Sequence, residues 1–210
     1  MHPTDEVRGR DGPSAPVHSP VSNDVKKRAA EFFSVWGELA GKNDRALAIV
    51  CLADMDRLLK LLLEAFLVDP AEEGLFEPHS PLGPVSAKIR MAYHLGLVTG
   101  TERDNLHQLN KIRHRFAHDV VSSFDDQDIA DRCANLAFPD DLEESVHLKM
   151  QEPVNRFIAA TLLLYYSLQF RALLARGDKR GSPDELGPSD LSEVHNGLRN
   201  VALLRRQEDC

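Results

Sequence analysis

Apolar residues recur at helical spacing through most of this chain, and no stretch shows the alternation of a strand. The longest pattern covers Asn43 to Val68, where apolar positions three and four apart mark one side and charged positions mark the other. A second long pattern covers Val154 to Arg176 and is apolar on most sides. These patterns predict two long helices that lie side by side at the centre of the fold.

Capping residues, glycines and prolines divide the rest of the central region into shorter helices. Thr99 and Glu102 match a capping box, and Asp69-Pro70 ends the first long helix. The shorter predicted helices cover Ser22 to Gly41, Val85 to Leu97, Thr99 to about Val120, and a short stretch after Asp126. The loop that follows Pro70 should be anchored on the core by its apolar residues, which are Leu75, Phe76 and Leu82. The predicted fold class is therefore all-α: one helical bundle of about six or seven helices over residues 22–176.

Two flanking regions, residues 1–21 and residues 177–210, are predicted to lie outside this bundle. Residues 1–21 carry four prolines and scattered charge, which predicts a disordered N-terminal tail. Residues 177–188 are rich in glycine, proline and charge, as flexible spacers are. Residues 189–207 have an amphipathic helical pattern that could pack on the domain, pair with another subunit or stay partly disordered.

Composition and charge narrow the class of protein. The net charge of −8 opposes the binding of free nucleic acid, although a local basic patch could still bind it. Three widely spaced cysteines and the absence of an apolar N-terminal leader predict a cytoplasmic protein. The longest apolar run, Phe157 to Phe170, is interpreted as a buried helix because it is too short to span a bilayer.

The stretch from Leu109 to Asp126 concentrates arginine and histidine on one predicted helix. On a helical wheel, Arg113 lies on the apolar side, whereas His107, His114 and His118 lie together on the opposite side. A partly buried guanidinium needs a carboxylate partner, so Arg113 is predicted to clamp neighbouring helices. The candidate partners are Asp119, Asp125, Asp126 or a carboxylate of the long helix.

Two kinds of chemistry could use this stretch. His114 and His118 have the i, i+4 spacing of a helical metal pair, but no glutamate completes the pattern and Lys111 and Arg115 oppose a cation. No metal or cofactor is therefore predicted. Arg113 and His118 form an Arg-x4-His pattern, in which the histidine could deprotonate a ribose hydroxyl and the arginine could stabilise charge on phosphate. A continuous helix would separate these two side chains by roughly 140°.

Other nucleic-acid and nucleotide signatures are missing from the sequence. There is no helix-turn-helix pattern, and the basic residues are dispersed along the chain. There is also no phosphate-binding glycine loop and no catalytic serine or cysteine elbow. Direct DNA binding is therefore not expected.

Residues Leu75 to Phe124 resemble the mannitol operon repressor family. The resemblance rests on the Pro81-Leu82-Gly83 loop, which leads into Ser86 to Ile89 and Tyr93 to Leu97, and on the segment Ile112 to His118. It extends over about residues 25–176. It implies an all-helical regulator of sugar-alcohol operon expression, from a family without an evident DNA-binding motif.

The segment from Arg113 to His118 also resembles, more loosely, the small helical HEPN nucleases and nucleotide-binding domains. The position after the arginine is most often asparagine in that pattern, and here it is His114. The alternative function is thus a metal-independent ribonuclease or nucleotide-binding domain that uses Arg113, His114 and His118.

Together these observations predict a non-enzymatic transcriptional regulator that acts through a protein partner. No catalytic residue is favoured under this hypothesis, and a homodimer is an open alternative. RNA would be a partner only under the ribonuclease alternative, and no membrane association is expected.

Overall fold

The computed structural model describes residues 23–68, 74–119, 123–139, 151–179 and 181, and within them it forms six helices and no strand. The helices are α1 (Asn23–Leu39), α2 (Asp44–Phe66), α3 (Val85–His94), α4 (Gly100–His118), α5 (Gln127–Ala134) and α6 (Pro153–Ala175). The all-α prediction is confirmed. The predicted tail over residues 1–21 and the amphipathic segment 189–207 lie outside the described residues.

The two long helices, α2 and α6, form the centre of the bundle. They make the most extensive interhelical contact, and α4 packs on α2 as the next most extensive. Leu59 and Leu62 of α2 and Leu168 of α6 are completely buried. The predicted central pairing is therefore confirmed, and α4, which carries the arginine and histidine cluster, lies directly against this centre.

Local hydrogen bonds explain where α2 begins and where α3 ends. The side chain of Asn43 accepts a hydrogen bond from the Ala46 N–H at 2.9 Å, which caps α2. The prediction that the third helix continues to Leu97 was too long. Gly96 has a φ of 72°, and the Leu97 N–H donates to the Ala92 carbonyl at 2.9 Å, so the backbone turns out of α3 after His94.

Helix α6 is long and apolar enough to cross a membrane by length and composition. The apolar run Phe157 to Phe170, on which the sequence interpretation of a buried helix was based, is only the middle part of this longer helix. One side of α6, which includes Phe157, Leu164 and Leu168, is buried against the rest of the bundle. Its role as a core helix thus rests on packing rather than on length.

Candidate functional site

Helix α4 fixes the geometry of the predicted arginine and histidine cluster. Its start is a capping box: the Glu102 N–H donates to Thr99 Oγ1 at 3.2 Å, and the Thr99 N–H donates to Glu102 Oε2 at 2.7 Å. The helix continues to His118, and Asp119 leaves it in an extended conformation. Because the helix is unbroken between Arg113 and His118, their side chains leave it in directions roughly 140° apart. Within one chain they do not converge on a shared cleft.

Arg113 lies half-buried at the edge of the core, as its wheel position predicts. However, it forms no ion pair with any residue that the structure describes. One predicted partner, Asp119, pairs with Arg115 at 3.2 Å instead. Another, Asp126, accepts a hydrogen bond from the Ser123 N–H at 3.1 Å. The predicted Arg113 clamp is therefore wrong for the described part of the chain.

Arg115, rather than Arg113, makes the ion pair that joins α4 to another helix. Its Nη1 lies 3.2 Å from Asp119 Oδ2, and its Nε lies 2.9 Å from Asp128 Oδ2 on α5. Arg132 also reaches Asp128, at 2.9 Å, and its hydrogen bond holds the pKa of that carboxyl below its usual range. The clamp lies on this side of α4 because α5 packs there. All its members are at least partly exposed, so each pair adds little stability.

The histidines of α4 fall into two environments. His114 and His118 are exposed, and their rings stack with centroids 6.0 Å apart and an interplanar angle of 5°. His107 is only half-buried, and burial lowers its pKa, with the positive charges of Lys111 and Arg103 adding to the effect against the opposing charge of Asp104. In the described residues, no three histidine, cysteine, aspartate or glutamate side chains group closely enough to hold a metal ion.

The end of the central stretch is part of the core. Phe124 is almost fully buried and lies between Phe116 and Phe157, with ring centroids 4.9 and 5.0 Å away. Asp44, in the first turn of α2, accepts hydrogen bonds from Ser123 Oγ at 3.1 Å and from the Phe124 N–H at 3.2 Å. These contacts tie the segment after α4 to α2 and α6.

The Pro81-Leu82-Gly83 segment contacts a buried lysine, Lys88, whose burial the sequence analysis did not predict. Lys88 is only 3% exposed, and its Nζ donates to Asp56 Oδ1 at 2.6 Å and to the Gly83 carbonyl at 2.9 Å. Asp56 is one of the charged positions opposite the apolar side of α2, and it pairs with Lys88 of α3. The only available signal was that Lys88 is next to Ile89, a buried position of that helix.

Gly83 itself is required by close packing of this loop. A Cβ atom at this position would lie 2.3 Å from the Glu77 carbonyl oxygen and 2.7 Å from that of Pro78. Leu82, beside it, is buried, and Leu75 and Phe76 pack on the core as predicted. The loop therefore presents the Gly83 carbonyl to Lys88 in a fixed position.

A second buried polar group lies where α1, α2 and α6 meet. Asp54 is 8% exposed; burial raises its pKa, and Arg57 and a hydrogen bond from Trp36 oppose that rise. Tyr165 is fully buried, and its pKa is also raised by burial, against a hydrogen bond with Gln169. The Trp36 and Tyr165 rings meet edge to face at 6.0 Å. This cluster joins three helices, and its residues line neither the cavity beside the N-terminus of α4 nor the one beside Leu61 and Arg176.

A cavity of about 360 Å³ lies beside the N-terminus of α4. Its walls include Thr101, Glu102, Asn105, Phe138, Leu164 and Ser167. Glu102 already accepts hydrogen bonds from Ser167 and, at 3.0 Å, from Arg171 Nε. Asn105 exchanges two hydrogen bonds with the backbone of Ala137, at 2.8 and 2.9 Å. The main polar groups of the cavity are thus bound within the protein.

No protein-family model matches this chain, and no curated protein matches it. Among solved structures, one similarity stands out. The fold resembles a chain in the X-ray structure of the MtlR-HPr complex from Escherichia coli. The TM-score is 0.51 at 22% sequence identity, and the match covers 69% of this chain and 98% of that chain. The similarity to the MtlR-HPr structure establishes a shared helical fold over 69% of this chain.

Proposed function

We propose that this protein is a cytoplasmic regulator of a sugar-alcohol operon, of the mannitol operon repressor type, and that it acts by contacting a protein partner. The observation that carries this proposal is the similarity of fold to a chain in the MtlR-HPr complex, in which two proteins associate. For this chain, the corresponding partner is an HPr-like protein.

The residues behind the sequence resemblance support the proposal because they hold the shared bundle together. The Gly83 carbonyl accepts a hydrogen bond from Lys88 Nζ, and Lys88 Nζ also donates to Asp56 Oδ1. Ile112 and Phe116 are completely buried. The residues of the repressor-like pattern maintain this fold. A distant relative with the same architecture would therefore retain them.

The surface charge also favours a protein partner over DNA. The net charge is −8, and Arg115 and Arg132 are engaged by Asp128 or Asp119 rather than left free for phosphate. A protein that binds DNA directly would need an unneutralised basic surface.

A reporter assay combined with DNA binding tests this role. Deletion of the gene should raise expression of a mannitol-operon reporter, and the full chain should restore repression. The purified protein alone should not bind the operator sequence-specifically at physiological salt. Specific operator binding by the protein alone would show that it acts directly on DNA, and an unchanged reporter would remove the regulatory role.

The ribonuclease alternative remains a separate prediction. Since Arg113 and His118 leave α4 in different directions, it would need a second subunit to complete the site. It predicts metal-independent RNA cleavage that is lost in His118→Ala while the circular dichroism spectrum is unchanged. The absence of cleavage by the wild-type protein, or cleavage that survives the substitution, would exclude it.

A further inference from the structure

The cavity beside the N-terminus of α4 has one polar wall and one apolar wall. Its polar wall includes Thr101, Glu102, Asn105 and Ser167. Its apolar wall includes Phe138, Pro139, Leu163 and Leu164. The volume of about 360 Å³ lies within the range of small-molecule sites, about 300–1,000 Å³. At about 30 Å³ for each water-sized group, the cavity holds about a dozen non-hydrogen atoms.

The protein itself holds the polar wall in place. Glu102 accepts hydrogen bonds from the Thr99 N–H at 2.7 Å, from Ser167 Oγ, and from Arg171 Nε at 3.0 Å. These contacts join α4 to α6 and fix the orientation of the carboxylate. A group that is already oriented loses little conformational entropy when a ligand binds.

Asn105 holds the apolar wall against α4. This side chain is 6% exposed, and its amide exchanges hydrogen bonds with the backbone of Ala137 at 2.8 and 2.9 Å. Arg156 of α6 also donates to the Leu136 carbonyl, at 2.7 Å. The backbone just before Phe138 is thus tied to two helices, and the cavity is preformed, as ligand sites usually are.

Several polar groups of the cavity keep hydrogen-bonding capacity. The Thr101 hydroxyl forms no hydrogen bond with any residue that the structure describes. Glu102 Oε2 accepts from the Thr99 N–H and has a second lone pair, and Asn105 Nδ2 donates one of its two hydrogens to Ala137. A ligand with hydroxyl groups both donates and accepts, so it can satisfy all three groups.

Charge around the cavity selects a neutral ligand. Among the described residues that line the cavity, Glu102 is the only charged one, and its carboxylate opposes an anion. A cation is disfavoured as well, because Arg171 already neutralises Glu102 at 3.0 Å and a ligand ammonium would lie beside the guanidinium.

We propose that this cavity binds a neutral polyhydroxylated small molecule, a linear or cyclic polyol of about six carbons. Its hydroxyl groups bind Thr101, Glu102 and Asn105, and its carbon skeleton packs against Phe138 and Leu163. This inference goes beyond the protein contact proposed above and does not depend on it, because it rests on the lining of the cavity alone.

Saturation-transfer difference NMR on the full chain tests the proposal, with mannitol as the linear polyol and inositol as the cyclic one. At least one of them should bind saturably, and the tighter one identifies the form of the ligand. Three six-carbon compounds are the controls: the dication 1,6-diaminohexane, the dianion adipate, and 1-hexanol, which has a single hydroxyl. Each should bind at least about tenfold more weakly, because a site that hydrogen-bonds hydroxyl groups rejects analogues without them.

Two substitutions locate the site. Thr101→Val keeps the shape of the side chain but removes its hydroxyl, and it should weaken polyol binding about three- to tenfold. Leu163→Trp adds bulk to the apolar wall and should abolish binding. The matched control is Ser34→Ala on α1, which removes an exposed hydroxyl that does not line the cavity and should leave binding unchanged. Because Thr101 is exposed, its variant should keep the wild-type circular dichroism spectrum and decides the question even if Leu163→Trp does not fold.

Three results would overturn the proposal: no binding of either polyol by the wild-type chain, polyol binding that is unchanged in Thr101→Val, or a control compound that binds as tightly as the polyols. The last result would mean that charge or the apolar wall alone selects the ligand. None of them bears on the contact with an HPr-like protein, which is measured separately with that protein.

Discussion

Lys88 Nζ on α3 lies 2.6 Å from Asp56 Oδ1 on α2, and this ion pair joins the loop at Gly83 to the central helix. The two partners differ in environment. The Lys88 side chain is 3% exposed, whereas that of Asp56 is 37% exposed. Water can therefore hydrate the carboxylate if the pair is broken, but not the ammonium group.

This asymmetry predicts unequal effects of removing either partner. Asp56→Ala should lower the free energy of unfolding by about 3 kcal/mol, because it leaves a buried ammonium without its counter-charge. Lys88→Met should cost only about 1–2 kcal/mol, because Asp56 becomes hydrated and the methionine fills the space. Urea denaturation followed by circular dichroism measures both. Equal losses for the two variants would mean that the ammonium is not the group that burial penalises.

The exposed pair Lys60–Glu64 provides the control. Its atoms are 3.7 Å apart, and its side chains are 49% and 32% exposed. Lys60→Ala should change the free energy of unfolding by less than about 0.5 kcal/mol.

Gly83→Ala is predicted to destabilise the loop. Its Cβ would meet backbone oxygens of Glu77 and Pro78, which cannot rotate away as a side chain could. We expect a loss of about 2 kcal/mol in a denaturant titration. Gly37→Ala on α1 has no atom within 4 Å of the new Cβ and should instead stabilise the protein, by about 0.5–1 kcal/mol. A silent Gly83→Ala would show that the loop is not closely packed.

Glu102 predicts a pH-dependent contribution to stability. Burial raises its pKa, but hydrogen bonds from Ser167, Thr99 and Arg171 outweigh this, and the pKa is lowered in the folded protein from 4.5. Because the folded value lies below the unfolded one, the stabilisation is present above pH 4.5 and is lost as the pH falls through the folded pKa. Glu102→Gln should therefore cost about 1–2 kcal/mol at pH 7 and progressively less at acid pH. A difference between the two proteins that does not vary with pH would contradict this.

Arg113 and Arg115 give a direct test of the corrected clamp. The sequence interpretation predicted a loss of roughly 3–5 kcal/mol for Arg113→Ala, on the assumption of a buried carboxylate partner. The structure predicts less than about 1 kcal/mol for Arg113→Ala and for Arg115→Ala, since Arg115 pairs only with partly exposed carboxylates. Thermal denaturation of the two variants checks both values, and a loss of 3 kcal/mol at Arg113 would restore the original interpretation.

Sequence patterns predicted the features that depend on neighbours along the chain. The capping box at Thr99 and Glu102 and the apolar sides of α2 and α6 all follow from local spacing. The structure was needed for contacts between helices. Arg115 makes the clamp because α5 packs on its side of α4. Lys88 can be buried because it pairs with Asp56, which is distant in sequence. The exposure of Phe170, Leu173 and Leu174 on α6 could not be predicted either, because an all-round apolar pattern is interpreted as complete burial.

Titration calorimetry of the full chain with the HPr protein of the same genome tests the proposed role most directly. The account predicts saturable binding at a stoichiometry of one HPr per chain. No heat of binding, together with no complex in sedimentation of the mixture, would contradict a role through HPr contact even though the fold is shared.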